Sequence, residues 1–565
     1  MRSLWFAMLL LCVPMITSVG CGCGGDDDDD SSDVDDDADD DTSDDDDTAA
    51  DDDDDPPFSV RWDYLLVDVP APPANPTTLD ETPASLNYVP VFRFRQETGD
   101  APPRAVEAVL IIVAGYTAGA NQIRSIAEEM VTLSEGAFEV WVPDRRFHLL
   151  EDVVGSNAAE AAGNPYLAYD YYYNGLEVNG RTFQGYFDPR SSDSAMMSEW
   201  GLDQEMIIYR RLLELIPEEA RATNVFFGGH SRGAYFAQAL AAYEFEDGKL
   251  GNDEIAGLIL LDGGPRYEPD YTEAEYLDDI AGIRSGDLPR TTSFSFFTPG
   301  MYTFLEIFSM AAADGLGDPF DPTLGPDGVF PHNGPFTVLR PFMTRFHDVG
   351  LTNEAFVGLV ADDEFGLLEN FHGHMGRMTG GEICHDFLGD FPCEDGAMYS
   401  WLDYNEVEPH ELMSVQKLIT NIFEGPSNNA DPYYPARIDI DFYVADVLET
   451  EGTWRDDYFR FRTSQVDAPV FVMGTHLVAD TGLMEQYRDQ LPPVRGYDMP
   501  RTDIGFDILY KDDWEHIDGL QVEPEYNDLY TQLADWVNTW SSGEVAVPLF
   551  GTPWDDVADQ YPPEL

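Results

Sequence analysis

The segment from Asn224 to Leu240, NVFFGGHSRGAYFAQAL, contains a serine whose surroundings favour nucleophilic chemistry. Gly229 to Gly233 match the pattern G-x-S-x-G around Ser231. Between a strand and a helix, this pattern is typical of a strained turn that lifts the hydroxyl above a sheet. The simpler hypothesis is that Ser231 only caps the helix, a role in which serine is common. The apolar strand predicted before it and the amphipathic helix predicted after it favour the nucleophile.

This order of strand, turn and helix resembles the α/β-hydrolase family, and the resemblance covers most of residues 106–540 apart from a long insertion. It implies an α/β fold whose sheet is mostly parallel, with helices on both faces. It also implies a Ser-His-Asp triad that cleaves esters through an acyl-enzyme and needs no cofactor or metal.

A triad requires a histidine, because a serine hydroxyl is a poor nucleophile near neutral pH unless an imidazole removes its proton. In DILYKDDWEHIDGL, His516 follows the last predicted strand at loop distance. The stretch WEHIDGL is similar to the histidine loop of lipase-type hydrolases. A surface histidine is the alternative, but the position and the flanking residues favour a general base.

The oxyanion hole requires backbone N–H groups aimed at the charge that develops on the substrate. The resemblance implies one donor at Arg232, directly after the nucleophile, and another in the loop Gly115 to Gly119, where Tyr116 is the candidate. Ala114 replaces the family's usual histidine in that loop. The run Asp144-Arg145-Arg146, at the end of VWVPDRR, is interpreted as a structural charge network.

Two aspartates compete for the role of the acid. In most of the family the acid follows the next-to-last strand, but Gly474 is followed by THLVA and then Asp480, which also suits the N-cap of a helix. Asp262 ends the strand GLILLD, as in the pancreatic-lipase branch, where the acid lies one strand earlier. A turn into Gly263-Gly264 is its simpler role. Asp262 is placed slightly ahead of Asp480.

The elements that must position these residues alternate between apolar runs and helical patterns, as in a parallel sheet with crossover helices. Strands are predicted at 86–94, 105–115, 138–144, 224–229, 255–264, 468–474 and 506–510. Helices are predicted at 121–135, 203–216, 231–243, from about 480, and in a closing segment that ends near Trp540. An aromatic loop is expected around YDYYY, 169–173.

Residues 263–466 interrupt this alternation and are too long for a structureless loop. They are predicted to form a mainly helical cap, inserted before the next-to-last strand. The hydrolase core is then 58–262 together with 467–565.

The N-terminus predicts export. Arg2 precedes an apolar run, Leu4 to Ile16, that is too short to span a bilayer and suits a signal peptide at 1–20. SVGC, at 18–21, resembles a bacterial lipobox, so Cys21 is the candidate for lipidation, with ordinary secretion as the alternative. Export as a membrane-anchored lipoprotein of a Gram-negative-type bacterium is therefore expected, facing the periplasm or the cell surface.

Residues 21–57 contain an aspartate tract that cannot fold alone and is predicted to be a disordered linker. Removing its 21 Asp leaves a formal charge of −57 of the original −78, so nucleic acid is an unsuitable partner. Cys384 and Cys393 predict a disulfide in an exported chain, while Cys23 has no assigned role.

Other motifs carry less weight. His372 and His374 have H-x-H spacing, with Asp362, Asp363 and Glu364 shortly before, but no motif fixes a metal geometry. The sequence therefore predicts a serine hydrolase acting on a small-molecule or lipid-like carboxylic ester. The alternatives are a peptidase, an amidase or an acyltransferase on the same fold, or a non-catalytic binding module that keeps the scaffold.

Overall fold

The computed structural model describes residues 58–98, 104–264, 271–292, 299–313, 349–364, 372–386, 389–428, 430–448, 452–475 and 482–563. Phe58–Leu565 form one compact unit. Among the described residues, no helix combines the length and apolar composition that a bilayer crossing requires. The predicted signal peptide, Cys21, Cys23, the aspartate tract and Asp480 lie outside the described residues.

A nine-stranded sheet organises the molecule. Its strands are β1 (Val60–Asp68), β2 (Tyr88–Gln96), β3 (Ala108–Val113), β4 (Phe138–Pro143), β5 (Val225–His230), β6 (Gly257–Leu261), β12 (Val470–Thr475), β13 (Phe506–Lys511) and β14 (Thr552–Pro553). They lie in the order β13-β12-β6-β5-β3-β4-β2-β1-β14. The six strands from β13 to β4 pair in parallel, whereas β2 pairs antiparallel with both β4 and β1, and β14 pairs antiparallel with β1.

Helices cover both faces of this sheet, as predicted. The helix α1 (Arg124–Leu133) packs on β4 and on α14 (Leu529–Trp540), while α6 (Arg232–Ala242) packs on β5, β6 and α4 (Leu202–Leu213). Outside the insertion the helices are α1 (Arg124–Leu133), α2 (Val154–Ala162), α3 (Pro165–Asn174), α4 (Leu202–Leu213), α5 (Glu218–Asn224), α6 (Arg232–Ala242), α12 (Leu483–Gln490), α13 (Asp518–Gln521) and α14 (Leu529–Trp540). The strands β3 to β6 are buried along their whole length, as parallel strands covered on both faces should be.

The insertion between β6 and β12 contains five helices and two small sheets among its described residues. Its helices are α7 (Glu273–Ser285), α8 (Pro299–Ala313), α9 (Asn353–Ala361), α10 (Val415–Phe423) and α11 (Ala436–Val444). One sheet joins β7 (Gly350–Leu351), β11 (Met398–Asp403) and β8 (Gly376–Thr379), and the other joins β9 (Ile383–Asp386) to β10 (Gly389–Pro392). The two small sheets were not predicted.

Much of the insertion has a hydrophobic core of its own. Side chains from α8, α9, α10 and β11 form a buried cluster separate from the core around the large sheet. Tyr171 and Tyr172, from α3, join this cluster. Cys384 and Cys393 are joined by a disulfide across the β9–β10 hairpin, with their Cα atoms 5.8 Å apart.

One predicted element assignment is wrong. The aromatic stretch around Tyr169 is helical rather than a loop, because Asn164 caps α3 by accepting a hydrogen bond from the Tyr166 N–H (3.2 Å) and Pro165 begins the helix. The helix predicted to begin near Asp480 is confirmed: it begins at Leu483, and its N-cap is Gly482. Asp480 itself lies outside the described residues.

Candidate active site

Ser231 lies in the turn between β5 and α6 with a strained backbone. Its φ is 55° and its ψ is −119°, a conformation that residues with a Cβ adopt at a cost. It occupies the N-cap position of α6, but its side chain makes no capping hydrogen bond. Helix capping therefore does not account for the serine at this position.

The turn requires the two glycines of the motif, because neither position has space for a side chain. A Cβ on Gly229 would lie 2.3 Å from the Gly233 carbonyl carbon, and a Cβ on Gly233 would lie 2.1 Å from the Val113 carbonyl oxygen. The helix thus approaches β3 and β5 closely, and Ser231 is held at the end of the central strand.

We expect Gly233→Ala to lower the free energy of unfolding by about 2–3 kcal/mol, because its methyl group must displace the backbone of β3. Gly163→Ala is the matched control, since Gly163 has a φ of +56° but nothing within 4 Å of an added Cβ. Its cost is only that of the left-handed conformation, about 1 kcal/mol. Urea denaturation compares the two variants, and equal losses would contradict the close approach at Gly233.

Asp262 follows β6, the strand next to β5, and its backbone contacts the nucleophile turn. The Ser231 N–H donates to the Leu261 carbonyl (2.8 Å), and a Cβ on Gly263 would lie only 2.0 Å from the Ser231 carbonyl oxygen. Asp262 itself is 1% exposed, with a φ of 40°. The end of β6 is therefore folded tightly against the turn that carries Ser231.

The Asp262 carboxylate contacts His516. Asp262 Oδ2 lies 2.5 Å from His516 Nδ1, and Oδ1 accepts the Thr475 N–H at 2.7 Å. Burial alone would raise the pKa of Asp262, but these hydrogen bonds and the nearby imidazole lower the pKa overall. The carboxylate is therefore ionised near neutral pH, so His516 Nδ1 is the donor and Nε2 is the nitrogen that can accept a proton.

His516 is held in place by the residue that precedes the candidate nucleophile. His230 Nε2 donates to the His516 carbonyl oxygen (2.9 Å), and the two imidazole rings are 4.4 Å apart. Burial and the neighbouring His516 lower the pKa of His230 to about 3, so His230 is neutral. Because His230 and Ser231 are consecutive, this contact brings the histidine loop to the nucleophile turn.

The loop after β3 also lies against Ser231. A Cβ on Gly115 would be 3.2 Å from Ser231 Cβ, and the Gly115 N–H donates to Gln122 Oε1 (2.9 Å). Arg145 fixes the same loop by donating to the carbonyl oxygens of Ala114 (2.6 Å), Gly115 (3.0 Å) and Ala118 (3.0 Å). The loop that contains Tyr116 is thus held by hydrogen bonds with Gln122 and Arg145.

Arg232, the other expected donor, directly follows Ser231 in the chain. Arg232 is the first residue of α6, so its N–H has no acceptor within the helix. Of the two residues predicted as oxyanion donors, Arg232 directly follows Ser231, and Tyr116 directly follows Gly115, which approaches the Ser231 side chain.

Asp144, Arg145 and Arg146 are buried and make structural contacts, in keeping with the interpretation as a charge network. Asp144 accepts hydrogen bonds from the Tyr64 hydroxyl (2.6 Å) and the Ala120 N–H (2.6 Å). Arg146 donates to the carbonyl oxygens of Pro70 (2.8 Å) and Leu86 (2.5 Å).

This network extends to a buried histidine that sequence reasoning missed. His148 Nδ1 lies 3.1 Å from Asp431 Oδ1, and the Asp431 N–H donates to the Thr117 carbonyl (2.7 Å). Burial lowers the pKa of His148, but Asp144, Glu151 and Asp431 raise the pKa overall above its usual value. The resulting imidazolium offsets part of the negative charge beneath the loop that carries Tyr116.

The predicted H-x-H pair lies beside the histidine loop. His374 Nδ1 is 2.6 Å from Asp518 Oδ2, and the His374 N–H donates to Asp518 Oδ1 (2.8 Å). The Ile517 N–H donates to the His372 carbonyl oxygen (3.3 Å). The carboxylates of Asp362, Asp363 and Glu411 lie within 4.8 Å of one another, and Asp363 Oδ2 is also 3.6 Å from His374 Nε2. The insertion therefore contacts the chain on the C-terminal side of His516.

The His374–Asp518 contact predicts a pH-dependent stability. Although burial lowers the pKa of His374, Asp518, Asp363 and Glu411 raise it overall to about 9. Because the folded state holds this proton more tightly than the unfolded state, the stabilisation is complete below about pH 6.5 and is lost as the pH rises through about 9. We expect His374→Gln to lower the free energy of unfolding by about 2 kcal/mol at pH 6 and much less at pH 10.

Denaturation of the two proteins across this pH range measures the difference. In an Asp518→Asn background, the pH-dependent part should shrink. If the difference in free energy of unfolding between the wild type and His374→Gln stayed constant from pH 6 to pH 10, the stabilising contact of protonated His374 with Asp518 would be contradicted.

The contacts of His230, Thr475 and His148 near the candidate site were not predicted from the sequence. His230 could have been noticed because it adjoins Ser231. Thr475 is the last residue of β12, and its N–H donates to the carboxylate of Asp262. The contact of His148 with Asp431 joins distant segments and has no local signature.

No protein-family model and no curated protein sequence matches this chain. Similar solved structures include a candidate lipase from Sulfolobus solfataricus, 13% identical, covering 85% of this chain and 95% of that chain, with a TM-score of 0.38. A monoglyceride lipase from Saccharomyces cerevisiae is 12% identical, covering 81% and 92%, with a TM-score of 0.33. An esterase from Thermogutta terrifontis is 12% identical, covering 85% and 99%, with a TM-score of 0.31. By its strand order and the turn at Ser231, the chain has the α/β-hydrolase fold.

Proposed function

We propose that this protein is a serine hydrolase that cleaves a carboxylic ester through a Ser231-His516-Asp262 triad. The observation that carries the proposal is the contact of His516 Nδ1 with the ionised carboxylate of Asp262, next to a strained serine turn that makes no capping bond. An orienting carboxylate, a base and a nucleophile in this order are what acyl transfer requires.

In this mechanism, Ser231 Oγ attacks the ester carbonyl carbon while its proton passes to His516 Nε2. The carbonyl π electrons move to oxygen, and the N–H groups of Tyr116 and Arg232 stabilise that oxyanion. The tetrahedral intermediate expels the alcohol, which takes the proton from His516, and leaves an acyl group on Ser231. Water then attacks the acyl carbon while His516 Nε2 takes one of its protons. The second tetrahedral intermediate releases the carboxylic acid, and the proton returns from His516 to Ser231 Oγ.

Asp262 stays ionised throughout. It holds His516 in the Nδ1–H tautomer and stabilises the imidazolium that forms during each proton transfer. The Thr475 N–H and the His230 ring hold the carboxylate and the histidine loop, so both partners keep their orientation between steps.

Residues 263–466 are proposed to act as a cap over the site, with apolar side chains that favour a hydrophobic ester. The N-terminal segment is proposed to export the chain and to anchor it through a lipid on Cys21, with the aspartate tract as a spacer. The negative surface charge favours uncharged substrates over anionic ones.

Hydrolysis of p-nitrophenyl esters of graded chain length by the purified full chain tests this proposal. We expect turnover that is lost in His516→Ala, with a preference for one acyl length. p-Nitroanilides of the same acyl groups test the amidase alternative. A folded wild-type protein that hydrolyses neither series would reject a hydrolase function and favour the binding module.

A further inference from the structure

Tyr116 and Arg232, the two candidate oxyanion donors, share a third partner. Asp439, on α11 of the insertion, is 7% exposed. Its Oδ1 pairs with Arg232 Nη1, and its Oδ2 accepts the Tyr116 hydroxyl at 2.9 Å. The Thr292 hydroxyl donates to the same Oδ2. One carboxylate thus contacts the side chains of both residues whose N–H groups are the candidate oxyanion donors.

The Arg232 side chain also packs on two aromatic rings. The Arg232 guanidinium lies over the Tyr116 ring, 4.0 Å from its centroid, and over the Phe442 ring, 4.2 Å from its centroid. This stacking leaves the guanidinium little freedom, and Asp439 neutralises its buried charge. Moving Asp439 would therefore move Tyr116 and Arg232 together.

The backbone around Tyr116 depends on its neighbours to keep its conformation. Thr117, the next residue, has a φ of 51°, so the loop is held in a strained conformation by its surroundings. Arg145 fixes its carbonyl groups from one side, and Asp439 fixes the Tyr116 side chain from the other. An oxyanion hole requires donors preorganised to within fractions of an ångström.

We propose that Asp439 is a positioning residue for the oxyanion hole, through which the insertion sets the spacing between the N–H groups of Tyr116 and Arg232. This inference rests on the proposed function, because it assigns a role within the same site. The contribution of Asp439 is made in the transition state, where charge develops on the substrate oxygen, and only weakly in the ground state.

The same helix offers a matched control. Asp441 is 1% exposed and pairs with Arg437 Nε (2.8 Å) and the Tyr276 hydroxyl (3.1 Å), so it reproduces the carboxylate–arginine–tyrosine arrangement. Its other oxygen, Oδ2, accepts the Leu202 N–H (2.9 Å), at the start of α4. Asp441→Asn thus repeats the loss of a buried, paired charge without removing a contact of Tyr116 or Arg232.

The experiment measures kcat, KM and the inhibition constant of an alkyl trifluoromethyl ketone for the wild type, Asp439→Asn and Asp441→Asn. Ser231 Oγ adds to the ketone carbon, the π electrons form an oxyanion, and the serine proton moves to His516, so inhibition reports the oxyanion hole. We expect Asp439→Asn to lower kcat by about 10- to 100-fold, with KM nearly unchanged, and to weaken the ketone by a similar factor. Asp441→Asn should alter thermal stability but not kcat per folded molecule.

Equal kcat and ketone affinity in the two variants would overturn the inference, as would a kcat loss in Asp439→Asn without weaker ketone binding. If Asp439→Asn does not fold, Tyr116→Phe removes only the hydroxyl donor, and unchanged kcat and ketone affinity in that variant would overturn it. Asp439→Glu should recover part of the lost kcat. A wild type that neither hydrolyses esters nor binds the ketone would instead reject the proposed function.

Discussion

Ser231→Ala should lower kcat for ester hydrolysis by about 10⁵- to 10⁶-fold, because no other group can form the acyl-enzyme. The same change should leave the free energy of unfolding within about 0.5 kcal/mol of the wild type, since the Ser231 side chain makes no capping hydrogen bond. Steady-state hydrolysis and urea denaturation of the purified full chain measure the two quantities.

Ser414→Ala is the matched control for this variant. Ser414 is the N-cap of α10, and its side chain accepts the Gln416 N–H at 3.2 Å. Its loss should cost about 1 kcal/mol of stability while kcat stays unchanged. If Ser231→Ala instead lost stability like Ser414→Ala and kept its activity, Ser231 would be a helix cap and not a nucleophile.

The second large effect is expected from Asp262→Asn, with a loss of about 10⁴-fold in kcat. Because the Thr475 N–H donates to Asp262 Oδ1, the asparagine would keep its oxygen there and turn its NH₂ group towards His516 Nδ1. His516 would then carry its proton on Nε2, so that this nitrogen could not accept the serine proton. Kinetics on the preferred p-nitrophenyl ester measure the loss.

Asp480→Asn distinguishes the two candidate acids. We expect it to change kcat less than about tenfold, because His516 has its carboxylate partner in Asp262. If Asp480→Asn lost most of the activity and Asp262→Asn kept it, the triad proposed here would have the wrong acid.

The sequence was most informative where function requires a local pattern. The glycines around Ser231 and the apolar strands β3, β5 and β6 predicted the central part of the sheet, because a buried parallel strand reads as a continuous apolar run. Asp262 could be proposed because it directly follows such a strand. His516 could be proposed because the strand β13 ends five residues before it.

Elements without such a pattern were harder to predict. The strand β1, VRWDYLLVD, was not predicted, since its exposed and buried residues do not alternate over most of its length. The helix α3 has clear end signals, Asn164-Pro165 before it and Gly175 after it, with a φ of 72°. A loop was nevertheless predicted there, because of the aromatic composition of the stretch.

The contacts that position the site could not be predicted from the sequence. Asp439 reaches Tyr116 and Arg232 from the insertion, and His374 reaches Asp518 from another part of it. Each pair joins segments far apart in the chain, and either carboxylate could equally have faced solvent. Only the folded arrangement of the insertion on the sheet brings these partners together.

The central claim is that Ser231 is an activated nucleophile, and labelling with a fluorophosphonate probe tests it most directly. Phosphonylation of the folded full chain should place the adduct on the peptide that contains Ser231, as identified by mass spectrometry. Ser231→Ala should abolish labelling, and His516→Ala should slow it by several orders of magnitude, whereas Ser414→Ala should label at the wild-type rate. Absence of labelling in the folded wild type, or labelling that persists in Ser231→Ala, would contradict the account.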